Sequence, residues 1–170
     1  MLEKRIQELA EEFGADLSFN NSKIWSGGII GTSVPMTKFN LKVPYKNHEI
    51  EIVNELGNYN LGHITLNLNQ RYIPDFEITA IEHIFNLFLR RKDLLKIKCK
   101  DASFKARIEQ LSTETGLQDI ARNNSFEPKI KAFKDKNLQF LHTDYSLQFD
   151  DKVGGLRALI LFYQRIIDLS

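Results

Sequence analysis

Residues 39–68 read FNLKVPYKNHEIEIVNELGNYNLGHITLNL, and this stretch decides the fold. Apolar and polar residues alternate in three runs within it, which places successive side chains on opposite faces of a β-strand. Lys46-Asn47 separates the first two runs, and a loop from Gly57 to Gly62 separates the second from the third. We therefore predict three consecutive antiparallel strands with one apolar face and one polar face.

The turn at Lys46-Asn47 sets a register that the side chains themselves support. It places four pairs opposite each other: Tyr45 with His48, Val43 with Ile50, Lys42 with Glu51, and Leu41 with Ile52. Apolar residues meet apolar residues and a cation meets a carboxylate, and such pairs each stabilise a sheet by about 0.2–1 kcal/mol. A slip of one residue would turn the apolar side chains to water, so the register is well specified. Pro44 lacks an N–H, which predicts an edge or a bulge on the other side of its strand.

Length and composition are those of an ordinary soluble protein. The chain has 170 residues, of which 42% are hydrophobic and 26% are charged, and this predicts one globular domain over 1–170, with lobes 1–92 and 93–170 as the alternative. The net charge of +1 predicts no general attraction to nucleic acid or to a membrane. The single cysteine excludes an internal disulfide and a cysteine-based zinc site. No signal peptide or membrane-spanning run is evident, so we expect a cytoplasmic protein, and the abundant Lys, Asn and Ile suggest a bacterial source.

Apolar stripes at helical spacing predict about four amphipathic helices. The first carries Leu2, Ile6, Leu9 and Phe13; the second begins at Pro74-Asp75 and carries Ile78, Ile81, Ile84, Phe85 and Phe88; the third carries Phe104, Ile108 and Leu111; the last follows Asp150 or Asp151 and carries Leu156, Leu159, Ile160, Tyr163, Ile166 and Ile167. Asn20-Asn21-Ser22 predicts a turn. Residues 24–34 are predicted to form a strand or a tight hairpin. Further strands are predicted at 95–99, 130–133 and 138–149, with a turn at 135–137 between the last two.

The fold class that follows is α+β, with a mainly antiparallel, meander-rich sheet packed against these helices. Each half of the chain is predicted to run helix, meander, helix, which suggests a pseudo-repeat without residue-level identity between the halves.

Histidine and glycine patterns argue against a metal or cofactor site. The four histidines, His48, His63, His83 and His142, show none of the HxH, HxxxH or HExxH spacings typical of metal ligands, and His48, next to a turn, is expected to be solvated. The glycine-rich run at 25–32 has no following Lys-Ser/Thr and is followed by extended chain, so a sheet bend explains it better than a phosphate loop. We therefore expect no cofactor and no metal.

The segment around His142 is the candidate for catalysis. Apolar residues change phase between His142 and Tyr145, which predicts a bulge or a turn, and bulges re-aim side chains near functional sites. His142, Asp144 and Tyr145 would then be the catalytic candidates, because an aspartate can orient an imidazole for general-base work. The alternative is a simple corner in which Thr143 and Asp144 bond their own backbone.

A basic region from Arg90 to Lys100 is the candidate for partner binding. Its candidate residues are Arg90, Arg91, Lys96, Lys98 and Lys100. Converging cations would suit an anionic partner, although lysines on a strand also serve as a solvated face. Cys99 shares the phase of Leu95 and Ile97 and is expected to pack into the core.

Three functions fit these observations. The leading interpretation is a non-catalytic binding or protein-interaction domain, with another protein or a second copy of the chain as its partner. The second is a small-molecule binder or an enzyme with a pocket between sheet and helices, where Phe76, Phe85, Phe88, Tyr145 and Tyr163 could be lining residues. The third is an adaptor for an acidic protein through the Arg90–Lys100 region, with nucleic acid the less favoured partner because exposed aromatic residues for base stacking are not evident.

Overall fold

A computed structural model describes residues 2–25, 33–57, 59–69, 72–80, 94–124 and 126–170. Its elements, in chain order, are α1 (Leu2–Phe13), β1 (Asp16–Trp25), β2 (Ser33–Tyr45), β3 (His48–Leu56), β4 (Leu61–Asn67), β5 (Phe76–Ala80), β6 (Leu95–Cys99), α2 (Ala102–Glu114), α3 (Leu117–Asn124), β7 (Lys129–Asp135), β8 (Leu138–Ser146) and α4 (Lys152–Leu169).

The described strands form one open, eight-stranded antiparallel sheet in the order β1-β2-β3-β4-β8-β7-β5-β6. The α+β class and the antiparallel sheet are thereby confirmed. Strand β8 from the end of the chain pairs with β4, and β5 inserts between β7 and β6. Both halves of the chain therefore contribute neighbouring strands to the same sheet.

One face of the sheet is buried under the described helices, and the other carries mainly partly or fully exposed polar side chains. The buried face presents apolar residues from successive strands, including Val43, Ile52, Ile64 and Ile130. Helix α4 lies over this face with a nearly continuous apolar surface, and its Tyr163 hydroxyl bonds Thr143 Oγ1 at 2.7 Å.

The predicted central hairpin is confirmed pair by pair. Tyr45 lies opposite His48, Val43 opposite Ile50, Lys42 opposite Glu51, and Leu41 opposite Ile52. The third strand pairs with the second as predicted. Pro44 lies beyond the end of β1, whose first residue, Asp16, is opposite Lys42, so its missing N–H breaks no hydrogen bond to β1.

Several local predictions also hold. Strand β6 buries Leu95 and Ile97 and exposes Lys96 and Lys98. Helix α2 begins after Asp101, whose carboxylate accepts a 2.8 Å bond from the Phe104 N–H. Of the two aspartates proposed to begin the last helix, Asp151 is the cap, accepting from the Gly154 N–H at 3.1 Å.

Two segments differ from the sequence prediction. The predicted turn at residues 20–22 is wrong, because β1 runs through it and pairs with β2 from Asp16 to Trp25; cross-strand backbone bonds outweigh the turn preference of Asn. The helix predicted from Pro74 is wrong over Phe76–Ala80, which is strand β5. Phe76 and Ile78 face the core, and Glu77 between them faces the other side of the sheet. This two-residue period was not recognised in the sequence, because Ile78 also begins an apolar stripe at helical spacing.

The rest of that predicted helix, including Phe85 and Phe88, falls on residues 81–93, outside the described residues. The pseudo-repeat therefore stays a prediction, because the helix that would end its first unit lies there. The glycine-rich residues 26–32 are likewise outside the described residues, although β1 and β2 on either side of them form the predicted extended chain.

Candidate functional site

Three side chains of types that can bind a metal meet on the exposed face at the centre of the sheet. Strands β4 and β8 are neighbours, and their register sets His63 opposite Asp144 and Thr65 opposite His142. Alternation along each strand turns these four side chains outward, while Ile64, Leu66 and Leu141 turn into the core. We refer to His63, His142 and Asp144 as the histidine–aspartate cluster.

Short hydrogen bonds join the members of the histidine–aspartate cluster. Asp144 Oδ1 lies 2.6 Å from His63 Nδ1 and 3.0 Å from His142 Nε2. The second ring nitrogen of His142, Nδ1, lies 3.3 Å from Thr65 Oγ1. The two imidazole rings stack with centroids 6.2 Å apart. One carboxylate oxygen therefore serves both imidazoles.

The histidines shift the acidity of the carboxyl group between them. Partial burial of Asp144 acts to raise its pKa, but hydrogen bonds from His63 and His142 outweigh this desolvation, so the pKa lies below its ordinary value. Asp144 therefore remains an anion at neutral pH. A fixed carboxylate beside two imidazoles can accept protons or bind a cation.

The predicted bulge or turn between His142 and Tyr145 is wrong, and the three catalytic candidates lie on opposite faces of a regular strand. Strand β8 pairs without interruption with β4 and β7 from Phe140 to Asp144. His142 and Asp144 consequently share the exposed face, whereas Tyr145 lies in the core and donates a 2.7 Å bond to Asn54 Oδ1.

The apolar–polar alternation of β8 looks shifted in the sequence because two of its residues are exceptions to the rule that apolar side chains face the core and polar ones face solvent. Phe140 lies on the outer face, where its ring stacks against Phe133 at 5.9 Å. Thr143 lies on the buried face, where Tyr163 satisfies its hydroxyl. A polar residue inside and an aromatic residue outside therefore mimic a bulge in the sequence.

A row of polar side chains crosses the whole sheet through His142. From one edge to the other, the registered residues are Lys98, Glu77, Lys131, His142, Thr65, Glu51, Lys42 and Asp16. Glu77 lies 3.6 Å from both Lys98 and Lys131, and Lys42 lies 3.7 Å from Glu51. Opposite charges thus alternate around the histidine–aspartate cluster, which keeps this face polar.

Of the two remaining histidines, the structure describes His48, which is not part of the histidine–aspartate cluster. His48 was expected to be solvated, but it is buried and its Nδ1 lies 3.1 Å from the Asn67 backbone oxygen. It is buried because the Tyr45–His48 pairing directs it to the core side of β3. His83 falls outside the described residues.

A second candidate site lies at the end of the sheet where β5 begins. Phe76, the first residue of β5, is flanked by Cys99 on β6 and Ala132 on β7. An open cleft of about 710 Å³ lies here, a size within the range of about 300–1,000 Å³ common for ligand sites. Its lining includes Lys98, Lys100, Lys105 and Lys131 together with Asp75, Phe76, Glu77, Ile97, Cys99, Ala132 and Phe133. We call it the lysine cleft.

The lysine cleft contains only part of the predicted basic region. Lys98 and Lys100 line it, whereas Lys96, opposite Thr79, does not belong to its lining. Arg90 and Arg91 fall outside the described residues. Lys105 of α2 and Lys131 of β7 complete the set. Cys99 is half-buried and packs against the core, as its phase predicted, while also reaching the cleft.

Sequence reasoning could not assemble either grouping in space, because each contains residues that only long-range strand pairing brings together. Asp144 was considered together with His142, but His63 joins them only through the pairing of β4 with β8. A local cue existed: His142 and Asp144 are spaced two apart, as outward residues of one strand are. Lys131 joins Lys98 only because Glu77 of β5 lies between them.

Within the described ranges, no helix combines the length and apolar character needed to cross a bilayer. No protein-family model, curated protein or solved structure matches the chain.

Proposed function

We propose that this chain is a non-catalytic binding domain that holds an acidic segment of a partner protein in the lysine cleft. The observation that carries the proposal is the convergence of four lysines from β6, β7 and α2, and the chain between β6 and α2, around one open cleft. The cleft also borders strand β6, which carries Lys98 of the predicted basic region.

The four lysines of the lysine cleft differ in whether a nearby carboxylate of the same chain already offsets their charge. Glu77 lies between Lys98 and Lys131 at 3.6 Å from each and offsets part of their charge. Lys105 lies 3.7 Å from Glu109, one turn further along α2, and such exposed helix pairs contribute little. Lys100 forms no ion pair with any described residue. Lys100 and Lys105 are therefore the residues best placed to bind a partner's carboxylates.

Apolar surface in the lysine cleft favours a segment that mixes acidic and apolar residues. The Phe133 side chain is 42% exposed, and Phe76 and Ala132 lie beside it. The carboxylates of Asp75 and Glu77 would repel a uniform polyanion such as nucleic acid. Lysine is also a point charge without the planar fork by which arginine binds phosphate. An acidic–apolar peptide can instead place carboxylates on the lysines and an apolar side chain on Phe133.

Fluorescence anisotropy with a labelled peptide of alternating Glu and Leu tests this proposal. Saturable binding that weakens as salt rises is expected, because salt screens exposed charges. The double variant Lys100→Gln/Lys105→Gln should weaken binding roughly 2-fold to 30-fold, since each exposed ion pair contributes about 0.2–1 kcal/mol and 1.4 kcal/mol is tenfold.

The matched control is Lys23→Gln/Lys134→Gln, which removes the same charge from exposed positions outside the cleft. Equal weakening in both double variants would mean general charge attraction and would contradict the proposal. Preferential binding of single-stranded DNA would instead favour a nucleic-acid partner, and preferential binding of free citrate would favour a small anion. Turnover of a substrate that depends on His142 or Asp144 would overturn the non-catalytic assignment.

The proposed setting is the bacterial cytoplasm. Support comes from the single cysteine, which suits a reducing compartment, and from the Lys-, Asn- and Ile-rich composition. Fractionation of the native host with an antibody to the chain would test it.

A further inference from the structure

We infer that the histidine–aspartate cluster binds a divalent late transition-metal ion, with Zn²⁺ as the ion that its donors suit. This departs from the expectation of no metal, which rested on spacing along the chain. The three ligands instead come from β4 and β8, and pairing brings them together. The site lies apart from the lysine cleft and does not depend on its proposed role.

The donor atoms are already close to a metal-binding geometry. One ligand atom each from His63, His142 and Asp144 lies within 4.8 Å of the other two. Zinc bonds to histidine nitrogen and carboxylate oxygen are about 2.0–2.2 Å long, so neighbouring ligands of a tetrahedral zinc lie about 3.3–3.5 Å apart. The present contacts of 2.6 and 3.0 Å to Asp144 Oδ1 would lengthen by less than about 1 Å. The ligand atoms of His63 and His142 lie within 4.8 Å of each other and would move closer by up to about 1.5 Å.

Thr65 provides the outer contact that metal-binding histidines usually have. His142 would bind the ion through Nε2, the nitrogen that faces Asp144. Its Nδ1 would then carry the proton and donate to Thr65 Oγ1, now 3.3 Å away. Such an outer hydrogen bond holds the ring orientation and selects the tautomer. Thr65 would therefore orient the imidazole of His142 without binding the ion itself.

The site is rigid in its backbone and open to solvent. Strands β4 and β8 are interior strands, so each is held by neighbours on both sides. The side chains of His63, His142 and Asp144 are 50%, 34% and 49% exposed. Three protein ligands with a solvent-facing fourth position are typical of exchangeable or catalytic zinc rather than of structural zinc.

The charges around the site permit a cation to bind. Asp144 is anionic and supplies the negative charge of the site. Lys131, opposite His142, is 3.6 Å from Glu77. Lys129 lies opposite Asp144 and is exposed, so its flexible side chain can move into water. Two nitrogens and one oxygen favour Zn²⁺, Co²⁺, Ni²⁺ or Cu²⁺ over Mg²⁺ and Ca²⁺, which prefer oxygen ligands.

Isothermal titration of the tag-free, chelator-treated full chain with zinc chloride tests the site. One ion per chain is expected, while magnesium chloride should give no saturable heat. Asp144→Asn and His63→Gln should each weaken zinc binding by more than about 100-fold. Loss of a residue that only hydrogen-bonds to a ligand typically weakens metal binding by about 10- to 100-fold. Thr65→Val should weaken it by about tenfold.

Glu51→Gln is the matched control, because it removes a carboxylate from the same face without removing a ligand. It should bind zinc within about twofold of the unaltered chain. Bound Co²⁺ should absorb visible light with the intensity typical of tetrahedral coordination, and this absorption should disappear when added zinc displaces the cobalt. Far-UV circular dichroism of each variant shows whether it is folded. If Asp144→Asn does not fold, the comparison is made with His63→Gln. Absence of zinc binding by the unaltered chain, or equal binding by the ligand variants and Glu51→Gln, would overturn the inference.

Discussion

Tyr145 and Asn54 meet directly over the backbone of Gly62. The three residues are in register on β8, β3 and β4, in which β4 is the middle strand. The Tyr145 hydroxyl donates a 2.7 Å bond to Asn54 Oδ1 in the core. The contact spans the middle strand because glycine leaves space above it. The bond thus links the central hairpin to the C-terminal strand.

Gly62→Ala should destabilise the protein by about 1–3 kcal/mol, the usual cost of overpacking a core. An added Cβ would overlap the ring of Tyr145 and crowd the Asn54 amide. Urea unfolding followed by circular dichroism would measure the loss in free energy of unfolding. The cost should shrink in a Tyr145→Leu background, where part of the ring is gone. An unchanged cost there would contradict the proposed overlap.

Tyr163→Phe should lower the free energy of unfolding by about 1–3 kcal/mol, because it leaves buried polar groups without a partner. The lost hydroxyl bonds Thr143 Oγ1 at 2.7 Å and the Ile64 backbone oxygen at 3.3 Å. Tyr45→Phe is the matched control, since its hydroxyl bonds the carboxylate of Asp168 in a solvent-exposed contact. Urea midpoints for the two variants give the comparison. Equal losses would mean that burial of the hydroxyl is not the cause.

Stability should fall as the pH rises above about 10, the ordinary pKa of tyrosine. Burial raises the pKa of Tyr145 and of Tyr163, although the hydrogen bond of Tyr145 with Asn54 and that of Tyr163 with Thr143 act in the opposite direction. In the unfolded chain both phenols ionise near their ordinary pKa, so alkaline pH favours unfolding and the stability present below that pH is lost. Denaturant unfolding at a series of alkaline pH values should show a shallower decline for Tyr163→Phe. A slope identical to that of the unaltered chain would refute this linkage.

Glu12→Gln should lower stability by about 0.2–1 kcal/mol at neutral pH, as for an exposed ion pair. The Arg157 guanidinium on α4 donates bonds of 3.0 and 2.7 Å to the Glu12 carboxylate on α1. These bonds hold the pKa of Glu12 below its usual value. Its contribution is therefore present above the unfolded pKa of about 4.3 and is lost as the pH falls through the lower folded value.

Thermal unfolding at neutral and at acidic pH checks the Glu12 prediction. Glu8→Gln, which removes an exposed partner of Lys4 within α1, serves as the control. The effect of Glu12→Gln should disappear at acidic pH. A difference that persists there would point to helix propensity rather than to the ion pair.

Local sequence pattern was sufficient for several segments whose neighbours in sequence are also neighbours in space. The central hairpin was predicted pair by pair, because alternation and a two-residue turn leave one register that buries Val43 and Ile50 together. Strand β6, helix α2 and the β7–β8 hairpin turn follow from similarly local patterns.

Local pattern failed where tertiary pairing outweighed propensity. Asn20–Ser22 has the composition of a turn, yet it lies within β1 because a full strand of β2 bonds to it. Phe76–Ala80 is a strand because it fits between β6 and β7. The false phase change near His142 arose because Thr143 finds a buried partner on α4.

The sequence by itself determined the α+β class, the central meander and the polar character of one sheet face, because these depend on side-chain periodicity within short segments. Only the tertiary structure decided that β4 lies beside β8 and that β5 enters between β6 and β7. Those pairings assemble both the histidine–aspartate cluster and the lysine cleft. Such long-range neighbours are selected by how the whole apolar face packs under its helices, and no local spacing encodes that choice.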